Sequence, residues 1–142
     1  MSDTLLLDNS AWARFASAAL DSERRDEIAD AMQAGRIAVC LPFLLEAGYS
    51  ARNASDHVKL LEELLSLPFL SVDERVEQRA LDAQRQLARA GHHRLPPVDL
   101  LVAAIADRHD VGVLHYDHDY DLIAAKTDLR IQSTWLAARG TL

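Results

Sequence analysis

The sequence predicts an α/β fold, a parallel sheet covered by helices, and three observations lead there. The strand-like segments TLLL (4–7), RIAVCL (36–41) and VGVLH (111–115) are apolar throughout. Strands buried on both faces look like that, whereas half-exposed strands alternate. These segments are separated by longer stretches with helical periodicity, the βα alternation from which parallel sheets are built. Finally, 142 residues with 49% hydrophobic and 26% charged side chains suit one ordinary globular domain spanning 1–142.

Each element has a local reason. The first strand, 4–7, ends at Asp8. Helices are expected over 10–20 and 22–34, with Gly35 as the stop signal of the second. The second strand, 36–41, runs into Pro42, which suits the first turn of the helix that continues through FLLEAGYSARN. A further helix covers 55–67, and PFLSV (68–72) reads as a short strand or extended link. Val76, Ala80, Ala83, Leu87 and Ala90 recur at spacings of three and four, an amphipathic helix closed by Gly91. After the loop GHHRLPP, the segment VDLLVAAIADRHD is apolar nearly all round, so it belongs in the middle of the fold. A third strand over 111–115, a short helix over 117–126 and a last strand over 129–133 complete the chain.

Composition narrows the setting. The single Cys40 rules out an internal disulfide and any cysteine-based zinc site, and a reducing cytoplasm fits that usage. No run of eighteen apolar residues occurs and the start lacks a basic region, so neither a membrane span nor a signal peptide is expected. The net charge is −7, from 22 acidic and 15 basic side chains. A module that binds nucleic acid by neutralising phosphates alone would carry a basic surplus. An enzyme that meets phosphates through divalent cations escapes that objection, because the cations offset clustered carboxylates.

The acids are where the sequence is informative. Ligand sites of open parallel sheets lie beyond the carboxyl ends of the strands. Asp8 stands at the end of the first strand. Glu46 lies in the helix after the second, inside the apolar run PFLLEAGY. Asp99 opens the buried helix, and Asp117 follows VGVLH with Asp119 and Asp121 close behind. Four separate segments therefore send an acid to one edge.

Each acid also has an ordinary reading. Asp8 and Asp99 suit helix N-caps, and Asp117, Asp119 and Asp121 suit a first helical turn. Glu46 is the exception, since a carboxylate on an apolar helix needs a partner or a wet cleft. Taken together, two carboxylates ~4 Å apart repel by about 4 kcal/mol at an effective dielectric of ~20. Such a cluster raises pKa values or recruits a cation. Oxygen ligands without His or Cys at metal spacing favour Mg²⁺ or Mn²⁺. Two such ions would clamp the attacking and leaving oxygens of a phosphodiester displacement.

LLLDNSAW (5–12), the Glu46 helix, RLPPVDLLVAAIA (94–106) and LHYDHDYDLIA (114–124) together resemble the PIN domain, over essentially the whole chain including Trp135. Order and spacing are most similar to VapC-type toxins of type II toxin–antitoxin systems. The resemblance implies a single α/β/α sandwich, a Mg²⁺- or Mn²⁺-dependent endoribonuclease activity, a cognate antitoxin and a homodimer. Asp8, Glu46, Asp99 and Asp117 match the family's acidic quartet. Asp8, Asp99 and Asp117 would be metal ligands, and Glu46 would hold the attacking water or a second ion. Asp119 matches an auxiliary acid, and Ser10 matches the hydroxyl beside the first acid. Tyr120 stands where Phe is commoner, and Leu41 where a hydroxyl residue is frequent. The rival reading is a PIN-like module that binds a protein partner without turnover.

Other residues read less sharply. Arg14, near the mouth of the expected site, and Arg94, in the loop before Asp99, are candidates for contacting RNA phosphate, with solvated arginines as the alternative. His92 and His93 beside Arg94 are an even choice between partner contacts and a solvated loop. His115 and His118 flank Asp117 with the right pKa range for acid–base work, but a strand-end His and a surface His are the plainer readings. Trp12 and Trp135 read as core or interface anchors. Cys40 reads as inert packing. By resemblance, the apolar surface of helices near 11–20 and 43–65 would meet the antitoxin and a second copy.

Overall fold

The sheet is built from very short strands, of two to four residues each. The protein is described by a computed structural model covering residues 2–142. Its strands are β1 (Leu5–Leu7), β2 (Ile37–Ala38), β3 (Gly112–His115) and β4 (Ser133–Trp135), all parallel and in the order β2-β1-β3-β4. Leu6 stands opposite Ala38 on one side and Val113 on the other, and Leu114 stands opposite Thr134. The helices are α1 (Asn9–Trp12), α2 (Ser22–Gln33), α3 (Leu41–Tyr49), α4 (Ala54–Leu64), α5 (Glu74–Arg89), α6 (Pro97–His109) and α7 (Asp119–Lys126). The arrangement is the α/β/α sandwich with a central parallel sheet that the sequence predicts.

α6 is the central helix. Leu100 and the run Val102–Ala106 are buried, and the helix packs on α5, β1 and β3. Its apolar circumference follows from that position, as does the burial of Asp99 in its first turn. α5 covers α6 with Val76, Ala83 and Leu87. Arg79 locks the pair from outside: its guanidinium donates to Asp107 at 3.1 Å and to Asp128 at 3.0 Å, while Asp107 also accepts the Arg130 N–H.

The end of α2 is a Schellman turn. Gly35 takes φ +70, the Arg36 N–H donates to Ala31 O at 2.9 Å, and the Gly35 N–H donates to Met32 O. At Gly112, a Cβ would lie 2.8 Å from Leu5 Cδ2. It would also lie 3.0 Å from the Gln132 carbonyl oxygen, so the backbone entering β4 leaves little room for a side chain there.

Three expected elements differ. The helix foreseen over 10–20 is regular only over Asn9–Trp12. Beyond it Arg14, Phe15, Ser17 and Leu20 donate to the carbonyl three residues back, so the segment tightens into successive turns that bring Leu20 inward. The second strand shortens to Ile37–Ala38 because Cys40 already precedes α3 as its N-cap. Val39 bridges in parallel to Phe69, accepting from Leu70 and donating to Pro68, each at 2.8 Å. The segment 68–72 is thus an extended link with one bridge. Finally, the last strand is Ser133–Trp135, not 129–133. Leu129 is instead buried in the core, and the backbone at Asp128 and Arg130 is tied to Gln86 and Asp107.

Candidate metal centre

Parallel strands end on one edge, and the chain turns there into α1, α3 and α7, while α6 enters alongside. Asp8 is the first acid on that edge. It caps α1, with Oδ2 accepting the Ser10 N–H at 2.9 Å and the Ser10 hydroxyl at 2.5 Å. Its Oδ1 accepts the Tyr120 hydroxyl at 2.6 Å. The expected N-cap role of Asp8 is therefore real, and it coexists with membership of the cluster. Ser10 Oγ also accepts the Tyr116 N–H at 2.9 Å, which ties the end of β1 to the end of β3.

Asp99 lies deepest among the acids of α6 and α7, 8% exposed. Burial, then the negative charges of Asp8, Asp117, Asp119 and Glu46, push its carboxyl up to about 8. Asp119 shares a hydrogen bond with Asp99, and burial followed by Asp117 raises its pKa. Glu46 is half-buried on α3, and burial followed by Asp8 raises it too. Asp117 Oδ1 accepts the Asp119 N–H at 3.0 Å, fixing the turn into α7. So the structure brings Asp8, Glu46, Asp99, Asp117 and Asp119 into one electrostatic neighbourhood. Asp121 departs from it and instead accepts from Ser133 at 2.6 Å and Trp135 Nε1 at 2.9 Å.

This donor set fits a divalent cation. Carboxylates forced upward in pKa by one another are relieved by positive charge, and hard oxygen ligands suit Mg²⁺ or Mn²⁺. Asp117, His118 and Asp119 each offer a ligand atom within 4.8 Å of the others. His118 is 56% exposed and lies 3.5 Å from Asp119. Sequence reasoning treated it as a surface histidine; it is one, and it also stands at the rim of the acids.

His115 has the structural role that the sequence left open. It is fully buried, and burial holds its pKa down. Its Nδ1 accepts the Asp117 N–H at 3.1 Å, so Nε2 carries the proton and donates to Ser133 Oγ at 2.7 Å. Ser133 passes its own proton toward Asp121. A chain of hydrogen bonds thus fastens the Asp117 backbone to β4 and α7. No spacing rule would have found it, because Ser133 and Asp121 meet only through the sheet order.

The basic candidates flank the acids. Arg14 donates to Ser10 O at 2.8 Å, and its guanidinium lies 4.6 Å over the Tyr116 ring. Arg94 is exposed and lines, with His92, Pro96 and Asp119, an open pocket of about 300 Å³. Trp12 packs edge-on against Phe15, and Trp135 stands edge-on to His115 and Tyr116, so both serve as anchors. Cys40 is buried with its thiol pushed up to about 12, chiefly by burial, which leaves it unreactive.

The model of the PIN domain matches residues 5–126. The chain belongs to the PIN domain family. Among its relatives are Ribonuclease VapC51 of Mycobacterium tuberculosis, 36% identical over 137 residues and 96% of both chains, and Ribonuclease VapC18 of the same species, 37% identical over 143 residues. The latter match covers 96% of this chain and 97% of the relative. Solved structures share the fold: DNA-bound VapBC from Salmonella typhimurium has a TM-score of 0.73 at 16% identity, over 94% of this chain and 98% of that one. VapBC-5 from M. tuberculosis gives 0.66 at 22%, over 94% and 100%. The VapC-type resemblance read from the sequence thus holds, and the matched span of the PIN domain contains all five clustered acids. Among the described residues, no helix is long and apolar enough to cross a membrane.

Proposed function

We propose that the chain, as one PIN domain over 1–142, is a Mg²⁺- or Mn²⁺-dependent endoribonuclease and the toxin of a type II toxin–antitoxin pair. The observation that carries this reading is Asp99: a buried carboxyl held up to about 8 by burial and four neighbouring acids. The N-cap role expected for Asp99 does not account for it, because α6 is capped at Pro96, with no side-chain capping hydrogen bond, and Asp99 sits inside the first turn. Its relatives named ribonucleases, matched over nearly their whole length, support the substrate class.

Asp8, Asp99 and Asp117 would hold the cation, with Asp119 beside them and Glu46 at the attacking water or a second ion. When bound, the cation would neutralise the scissile phosphate and lower the pKa of water. Glu46, whose carboxyl is raised by burial and Asp8, would be the group that holds a proton on that side of the cluster. Ser10 keeps Asp8 and the Tyr116 backbone in register. Arg14 and Arg94 stand on either flank, where they would meet RNA phosphates.

The partner surface lies elsewhere. Leu41, Leu45 and Tyr49 recur every four residues on α3 and are exposed, Tyr49 by 92%, with Val58 exposed on α4 and Leu65 exposed at its C-cap. Patches of this kind mark protein interfaces. That face would meet a second copy, and the apolar cleft between Trp12, Met32, Leu64 and Leu67 would receive the cognate antitoxin. The same surface would serve a binding module without turnover; the complete acid set favours the enzyme.

The test is cleavage of total RNA by the purified chain with Mn²⁺ or Mg²⁺, with EDTA, and with Asp99→Asn. Cleavage that requires the ion and Asp99, and leaves 5′-phosphate ends, is expected. Products ending in 2′,3′-cyclic phosphate would replace the water mechanism with attack by the ribose hydroxyl. Metal-independent cleavage by a folded Asp99→Asn variant would end the reading.

A further inference from the structure

Tyr120 is the largest fully buried side chain, in the first turn of α7. Its ring lies 4.8 Å from that of His115, tilted by 32°. Packing alone asks only for an aromatic ring there, and Phe would fill the space. A buried hydroxyl carries a desolvation cost unless it is hydrogen-bonded. Its partner among the described residues is Asp8 Oδ1, at 2.6 Å.

The acceptor capacity of Asp8 makes this contact consequential. Each carboxylate oxygen has two lone-pair positions. Oδ2 already receives two donors, the Ser10 N–H and the Ser10 hydroxyl. Oδ1 receives the Tyr120 hydroxyl. One position of the four therefore stays free. From this we propose that Tyr120 is a positioning residue of the acid cluster: its hydroxyl fixes the Asp8 carboxylate so that a single Oδ1 lone pair is offered to a divalent cation. This rests on the cation site argued above and adds to it a residue that is neither acid nor ligand.

With Phe at this position, Oδ1 has two open positions and the carboxylate loses the restraint that aims it. Partners that orient a ligand typically hold 10–100-fold of metal affinity. The experiment is calorimetric titration of Mn²⁺ into the EDTA-treated, dialysed full chain, comparing wild type, Tyr120→Phe and Ile123→Val. Ile123 is a fully buried neighbour on α7 that touches none of the acids' hydrogen bonds, so it reports what simple loss of packing does. Thermal melts in EDTA accompany each titration. The expected result is a tenfold or greater loss of Mn²⁺ affinity in Tyr120→Phe, with Ile123→Val binding like wild type. Equal or tighter binding by Tyr120→Phe, with the wild type binding normally, overturns the positioning role and leaves the cation site standing. A matching loss in Ile123→Val shows that packing alone is responsible and also overturns it. Absence of Mn²⁺ binding by the wild type brings down the cation site itself and this inference with it.

Discussion

Replacing Asp99 by Asn should make the chelated protein more stable while removing its response to metal. Asp99 moves from an ordinary carboxyl value of 3.8 to about 8 on folding. At pH 7 the unfolded chain has lost that proton and the folded chain keeps it. The sign follows: the folded state binds more protons, so stability falls as pH rises from about 4 to about 8. At ~1.4 kcal/mol per pH unit, the roughly three units between the unfolded value and pH 7 correspond to about 4 kcal/mol of destabilisation at pH 7, relative to acid where both states are protonated. Asn has the same shape and no charge, so about 2–4 kcal/mol should return. For a chain of this size that is on the order of 6–12 °C in melting temperature. The assay is thermal unfolding by circular dichroism in EDTA between pH 4 and 9, wild type against Asp99→Asn. The gap should open with rising pH and close near pH 4. Adding Mn²⁺ should then raise the wild type and leave the variant unmoved. A variant that melts at or below the wild type in EDTA at pH 8 would refute the claim that the acids crowd Asp99.

Two further outcomes concern the supports of the site. His115→Phe deletes both hydrogen bonds of the imidazole and should cost about 2–3 kcal/mol in denaturant unfolding. Burial lowers the pKa of His115 below 6.5, so the wild type should lose stability as pH falls through that value, where the unfolded imidazole takes up a proton; the Phe variant should lack this slope. Arg79→Ala unlocks α5 from α6 and leaves Asp107 with the Arg130 N–H but no cation, which should cost about 1–3 kcal/mol. Arg79 lies outside the acid cluster, so Mn²⁺ affinity measured by calorimetry should stay at the wild-type value.

How much was legible depended on whether the cause was local. The apolar runs around Leu6 and Val113 and the all-round apolar α6 carried their own explanation, and the resulting sheet edge predicted where Asp8, Asp99 and Asp117 meet. What depended on distant partners was hidden. The last strand was displaced because Gln86 and Asp107 hold the backbone at Asp128 and Arg130. The helix after Asp8 unwound into turns because Leu20 has to reach the core. Tyr120 was noticed as a departure from the usual Phe, yet its hydroxyl had no meaning until Asp8 was placed 2.6 Å away. His115 likewise gained a role only through Ser133, which lies on a neighbouring strand.

The strand order also governs when this molecule becomes competent during its own synthesis. β1 leaves the ribosome first, but its inner neighbour β3 begins at Gly112. Until then Leu5–Leu7 has only the two residues of β2 beside it, and Asp8 has neither Tyr120 nor the Asp117 turn. Pairing β1 with β3 closes a loop of more than a hundred residues, and non-local pairings of this kind cost chain entropy and slow folding. A chain that stops short of β3 therefore lacks both the strand leading to Asp117 and the helix carrying Asp119 and Tyr120, so the acids come together only once the carboxyl-terminal fifth of the chain has been delivered.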